Sequence, residues 1–259
     1  MIFKSDKFIY DGIMAEEMGI RLVDTNTKDV LTDYSIPFTE TLKVETSFGR
    51  NPFYTYESSH PEKVELEFCL ADENGKAFTW TQEWEEQIIE WFMKDRFCEF
   101  ISMDYPDLVY YFRGTKVSRK RNKNLKGVLV VEFQPYYKHP IKKFKSTLNA
   151  EGSLEKDVRC DIQFKEFIYP ILEIESTGDG DVTIQNMSIE DSQPLKITGL
   201  KNKDFMSVDN QLYIVTNKKS QNLFSKVNRE WFKLKKGKNK IKITGNAKVV
   251  IKTNLEVRV

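Results

Sequence analysis

The chain of 259 residues has only three cysteines, two histidines, eight prolines and twelve glycines. Cys69, Cys98 and Cys160 lie far apart, each in an apolar stretch. An odd, scattered set argues against a disulfide framework and against a Cys-x-x-Cys metal site; buried thiols acting as small hydrophobes are expected. His60 and His139 each precede a proline, which places both in extended or turn segments. Nothing in the sequence orients either one with a carboxylate, as nucleophilic catalysis needs, and two histidines are too few for a His-based metal site. No glycine-rich phosphate cradle follows a strand and opens a helix. No apolar run reaches bilayer-spanning length, so membrane insertion is not expected. The opening residues lack the apolar core of a signal peptide, so the protein is expected to stay in the cytoplasm where it is made, or to leave by cell lysis. No catalytic residue, metal ligand or cofactor is assigned.

What is present suits a folded chain. Hydrophobic residues make up 40%, aromatics 13% and charged residues 31%, a balance unlike that of a disordered protein. The length allows two ordinary domains or one large β-sandwich. Net charge is +1, but residues 196–259 hold 16 Lys/Arg against 4 Asp/Glu, a net of +12. Residues 1–195 hold 24 against 35, a net of −11. An acidic front and a basic tail suggest two surfaces with different partners. The lysines interleave so regularly with Ile and Val that they read first as the solvent face of alternating strands.

The first 140 residues read as a series of strands with one helix. Asp11-Gly12 after Phe8-Ile9-Tyr10 is a two-residue hairpin signal. Residues 19–23, 40–46, 63–70, 97–103, 108–113 and 127–133 read as strands. Residues 24–33 are polar and turn-like, and 47–61 form a long irregular piece rich in aromatics. The spacing of Trp84, Ile88, Trp91 and Phe92 predicts a helix over 79–94, with Thr79 and Gln82 as its capping box. Asp104-Tyr105-Pro106-Asp107 is a turn. A boundary is placed near 138–148, giving domains 1–140 and 146–259.

The second domain has no persuasive helix. Strands are expected at 159–164, 169–176, 181–186, 195–199, 211–216, 222–225, 230–235, 239–244 and 248–258, separated by turn signals. In the stretch 229–245, Trp231 and Leu234 end one apolar segment, Gly237 to Asn239 permits a reversal, and Ile241 and Ile243 alternate with lysines. This predicts a hairpin, with Trp231 leading into its core side.

Binding signals are few. Asp72-Glu73-Asn74-Gly75 and Asp179-Gly180-Asp181 faintly resemble calcium loops but lack the full ligand spacing. The basic stretch 116–126 has cations for nucleic acid, yet no aromatic platform accompanies it in sequence, and it reads as a solvated hairpin tip. Sandwiches stack sugars on exposed aromatics, and Tyr213, Trp231 and Phe205 are the candidates for a sugar or partner contact.

Several motifs recur in order along a known family. Phe8-Ile9-Tyr10-Asp11-Gly12 with Met18-Gly19-Ile20 opens the chain. Arg50-Asn51-Pro52-Phe53 lies in an aromatic cluster, and Trp91-Phe92 is followed by Asp104-Tyr105-Pro106-Asp107 and Tyr110-Tyr111-Phe112. Phe133-Gln134-Pro135 then precedes the closing Trp231-x-x-Leu234-x-x-Gly237-x-Asn239-x-Ile241. Together these resemble the distal tail protein (Dit) family of siphophages or prophages of Gram-positive hosts. The resemblance implies a mainly β chain: an N-terminal β-sandwich-like domain with one helix, then a C-terminal galectin-like or jelly-roll β-sandwich. It implies a structural, non-enzymatic role at the virion tail tip, as a homo-hexameric ring in the baseplate. The ring would join the tail tube protein to the tail-associated lysin or fibre hub, and through it a receptor-binding protein, with DNA only passing through the channel. Phe48, Arg50, Phe53, Tyr54 and Tyr56 are the expected subunit-contact arm. A carbohydrate-binding module for a cell-wall glycan is the alternative, and a hydrolase with paired carboxylates a third reading.

Overall fold

The computed structural model describes residues 5–23, 41–45, 53–57, 63–72, 74–121 and 123–258, with backbone alone for 41–45 and 53–57. The chain divides into two compact units, Met1–Ile141 and Lys142–Arg258. Both are built from antiparallel strands.

The first unit contains β1 (Phe8–Tyr10), β2 (Ile13–Met14), β3 (Ile20–Val23), β4 (Thr41–Glu45), β5 (Phe53–Glu57), β6 (Val64–Leu70), helix α1 (Gln82–Phe92), β7 (Cys98–Ser102), β8 (Leu108–Lys120) and β9 (Val128–Pro135). Seven strands pair in the order β3-β6-β9-β8-β7-β1-β2. Asp11-Gly12 makes the β1–β2 turn, both with φ > 0 (52° and 81°), the geometry a two-residue hairpin loop needs. Strand β8 serves two partners. Its first half pairs with β7 and its second with β9, and the register shifts between Gly114 and Lys116. A bulge of this kind bends and twists a strand. Gly114 sits at the bend because a Cβ there would lie 2.6 Å from the Phe92 carbonyl oxygen. The helix therefore presses directly on the strand backbone.

Helix α1 is shorter than the apolar spacing predicts. It starts after Thr81, whose Oγ1 accepts a hydrogen bond from Trp84 N at 3.3 Å, so Thr81 and not Thr79 is the cap. The Trp80 indole Nε1 donates to Gly127 O at 3.2 Å, which draws 79–80 away from the helix. At the other end the Tyr10 hydroxyl donates to Phe92 O at 3.2 Å and closes off that carbonyl. The expected stripe does face inward: Ile88, Trp91 and Phe92 are buried and Trp84 packs partly against them. Around them stand Phe8, Tyr10, Phe68, Phe100, Phe112 and Phe133, an aromatic core. Phe8 and Phe100 stack at 5.0 Å and Phe68 meets Phe92 at 4.8 Å.

The second unit contains β10 (Ile141–Ala150), β11 (Ser153–Cys160), β12 (Phe167–Ile168), β13 (Ile171–Ser176), β14 (Gly180–Asn186), β15 (Leu195–Leu200), β16 (Phe205–Asp209), β17 (Ile214–Thr216), β18 (Leu234–Lys235), β19 (Gly237–Thr244) and β20 (Ala247–Glu256). One sheet runs β17-β16-β13-β20-β10 and the other β11-β19-β14-β15, a sandwich with a small β12-β18 pair. The inward positions alternate along each strand: Leu172 and Ile174, Met206 and Val208, Val182 and Ile184, Ile241 and Ile243.

Four expectations need correction. Residues 229–245 are not a hairpin: β18 pairs with β12, while β19 lies between β11 and β14. The reversal between them is held by buried Asn239, whose side chain accepts from Lys235 N and donates to the carbonyls of Lys235 and Gly237 at 2.9–3.0 Å. Residues 141–150, placed at a connector, form a ten-residue strand, and 205–209 form another. The strand expected at 222–225 is replaced by a 3₁₀ turn at Phe224–Lys226. Basic residues 116–120 continue strand β8, so the hairpin tip proper begins at Arg121. The expectations for 24–33, and for 47–52 and 58–61 of the irregular piece, lie outside the described residues.

Candidate functional site

The lysines of the tail are largely a solvent face. On β19, Lys238, Lys240 and Lys242 alternate with buried Asn239, Ile241 and Ile243. They meet acids of β11: Lys238 lies 2.8 Å from Asp157 and Lys240 2.7 Å from Glu155. The Lys240 ammonium holds the Glu155 carboxyl below its ordinary range. Cross-strand pairs of this kind support a sheet and leave little free charge for a partner.

The aromatic candidates of the second unit separate into two places. Phe205 lies beneath Lys218, whose Nζ is 5.2 Å from the ring centre. Tyr213 and Trp231 come together, with ring centres 4.9 Å apart. Trp231 is half-buried and not core; its neighbour Phe232 takes the core place at 3% exposure. Two loops are brought together by one buried residue. Asn210 Nδ2 donates to Pro170 O at 2.6 Å, and its Oδ1 accepts from Phe232 N at 2.8 Å. That ties the β16–β17 loop to the segment carrying Trp231. Phe224 adds a third ring, 6.0 Å from Trp231, with the Arg229 guanidinium 5.3 Å above it. Sequence spacing could not foresee this set, because its members come from the β16–β17 loop and from two places in the long connection between β17 and β18.

In the first unit, the expected arm residues Phe53, Tyr54 and Tyr56 stand on β5, paired with Glu45, Val44 and Leu42 of β4. Among the described residues these two strands form a sheet of their own. Phe48 and Arg50 lie outside the described residues. His60 does too, while His139 is half-buried.

A second feature of this unit escaped the sequence. The tip of the β8–β9 hairpin borders an open cleft of about 760 Å³, lined by Trp80 and by Arg119, Lys120, Arg121, Lys123 and Lys126. An aromatic side chain does accompany the basic stretch, supplied from forty residues earlier. Gly127 makes room for it: a Cβ there would stand 3.2 Å from Trp80 Cδ1. Arg119 pairs with Glu85 and Lys120 with the buried carboxylate of Glu67. Arg121, Lys123 and Lys126 are exposed.

All three cysteines are reduced and buried; burial pushes the thiols of Cys69 and Cys160 up to about 11, which leaves them protonated and inert. Among the described residues no group of three His, Cys, Asp or Glu side chains could hold a metal ion. The calcium-like segments are turns: Asp72 Oδ1 accepts from Asn74 N and Lys76 N, and Asp179 Oδ1 from Asn202 N. Among the described residues no helix is long and apolar enough to cross a membrane.

Comparison with known proteins says what kind of chain this two-unit β fold belongs to. The chain belongs to a family of phage tail proteins: residues 3–134 match its N-terminal domain and residues 142–253 match a phage tail C-terminal domain. It is similar to the SPbeta prophage-derived uncharacterized protein YomH of Bacillus subtilis (strain 168), 22% identical over 265 residues and covering 97% of this chain and 98% of that protein. Its fold is that of the SPP1 Dit protein (gp 19.1), described as a paradigm of the hub adsorption apparatus in phages that infect Gram-positive bacteria. The TM-score is 0.64 at 14% identity, over 96% of this chain and 98% of that one.

Proposed function

We propose that this protein is the structural subunit of the distal tail ring of a siphophage or prophage of a Gram-positive host. The observation that carries it is the fold shared with a Dit protein over nearly the whole chain, in a member of a phage tail family. In this reading residues 1–140 form the ring and 146–259 make a galectin-like sandwich outside it. The β4–β5 hairpin with Phe48, Arg50, Phe53, Tyr54 and Tyr56 is the arm that grips the next copy. A two-stranded sheet is marginal in water by itself, so this pair of strands gains most from a neighbour. Head-to-tail contacts that close give a ring, here of six copies. The ring joins the tail tube protein to the tail-associated lysin or fibre hub, DNA passes through its centre, and the chain catalyses no reaction. It is made in the host cytoplasm and ends in the virion.

Native mass measurement tests closure. Six copies of the 30.4 kDa chain give an assembly of about 180 kDa. A species that stays at one chain mass at high concentration overturns the ring.

A further inference from the structure

Charge in the first unit is segregated. Residues 1–141 hold 18 Lys/Arg against 24 Asp/Glu, yet the stretch 116–126 holds six of those cations and no acid. Five of the six line the open cleft at the β8–β9 tip, and no carboxylate lines it. Two of the five are engaged within the chain, Arg119 by Glu85 and Lys120 by Glu67. Arg121, Lys123 and Lys126 are exposed and make no ion pair among the described residues. Like charges gathered on one tip repel one another, and an anionic ligand relieves that repulsion.

The same cleft holds an aromatic side chain. Trp80 stands just before helix α1 and is half-buried. Lys126 and Gly127 have φ 57° and 114°, so the chain reverses there and brings Gly127 O to the indole. The indole Nε1 donates to that oxygen at 3.2 Å. Its one polar group is thereby committed. What Trp80 offers the cleft is a flat apolar surface in a fixed orientation.

We propose that this cleft binds single-stranded nucleic acid, with phosphates on Arg121, Lys123 and Lys126 and an unpaired base stacked on Trp80. A cationic groove beside an aromatic platform takes single strands because every base has a π-face and every link carries a charge. A cleft of about 760 Å³ is the size of a small-ligand site and has room for a nucleotide. Other polyanions use only part of it. An acidic peptide or a polyphosphate satisfies the cations and leaves the indole bare. A sugar-phosphate polymer brings hydroxyls, and apart from the cations Thr79 is the one lining side chain able to bond them. A duplex keeps its bases stacked on one another and presents none to Trp80. The site goes beyond the ring reading, in which DNA only passes through, and it is tested on the purified chain.

The test is fluorescence anisotropy of a fluorescein-labelled oligo-deoxythymidylate, titrated with the chain across a salt series. Saturable binding is expected, with log K falling against log salt at a slope of about −2, the value for three phosphates of a single strand. Lys126→Ala should flatten that slope by about 0.7. Trp80→Leu should weaken binding at least about fivefold at an unchanged slope, and remove the fall in indole emission that the oligonucleotide causes in wild type. Should Trp80→Leu not fold, Arg121→Glu with Lys126→Glu is read instead, at exposed positions, and a loss of at least about tenfold is expected. No saturable binding at low salt overturns the proposal, as does a slope that Lys126→Ala leaves unchanged. So does competition by poly-glutamate, poly(glycerol phosphate) or the paired duplex that equals competition by unlabelled oligonucleotide at the same charge concentration.

Discussion

The two units use aromatic side chains in opposite ways. In the first, Phe8, Tyr10, Phe68, Phe92, Phe100, Phe112 and Phe133 fill the interior around α1. In the second, the interior is Val, Ile, Leu and Met with Phe232, while Tyr213, Trp231, Phe224 and Phe205 stand at or near the surface. A helix laid across strands leaves a wide, uneven gap, and large rings fill it with few side chains. Two sheets packed face to face leave a regular gap about 10 Å deep, which β-branched side chains fill evenly. The ring cluster around α1 is thus first a matter of stability, whereas Tyr213, Trp231, Phe224 and Phe205 contribute little to the interior of the second unit.

That contrast can be broken by substitution. Phe92→Ala should have the largest effect, lowering the stability of the first unit by about 3–5 kcal/mol. Three of the four tryptophans, Trp80, Trp84 and Trp91, lie in that unit, so emission during urea titration follows it. A midpoint unmoved by Phe92→Ala would mean the aromatic cluster is not its core.

Alkali should weaken both units through their buried thiols. Burial raises Cys69 and Cys160 from 9.0 to about 11, so the unfolded chain loses these protons first. The stability they contribute is intact below about pH 9 and is lost as pH rises towards 11, by up to about 2–3 kcal/mol per thiol. Cys69→Val and Cys160→Val should flatten this slope, one in each unit; slopes equal to wild type would refute it.

The polar anchors of the second unit come next. Asn239→Ala removes the partner of Lys235 N and of Asn186 Nδ2, and should cost about 1–3 kcal/mol by circular dichroism melting. Gly114→Ala, which forces a Cβ onto the Phe92 carbonyl, should cost the first unit a similar amount, about 1–3 kcal/mol.

Trp231→Ala should have the smallest effect, below about 1 kcal/mol. A loss as large as that of Phe92→Ala would make Trp231 a core residue after all and erase the difference between the units.

Much of this was legible locally. The Asp11-Gly12 turn, the Ile88/Trp91/Phe92 face and the Ile241/Ile243 alternation all depend on residues within a few positions of each other. Errors arose where distant chain decided the outcome. Thr79 looked like a cap until Gly127 drew Trp80 away. Trp231 looked like core until Phe232, one residue on, proved to be the side chain that faces inward. Residues 141–150 alternate weakly, with Phe144 and Leu148 among lysines, and it is pairing in the folded chain, with β20 among its neighbours, that identifies them as a strand.

The sequence by itself determined the class: a mainly β phage tail chain with one amphipathic helix and, where alternation is regular, the residues a strand buries. Tertiary structure alone decided the partners. A period-two pattern states which face is apolar but not which strand lies alongside, and closing a longer loop adds little entropy cost. Hence β19 joined β11 and β14 across long separations, not the adjacent β18. For the same reason the meeting of Tyr213 with Trp231, and of Trp80 with the basic hairpin, exists only in the folded chain.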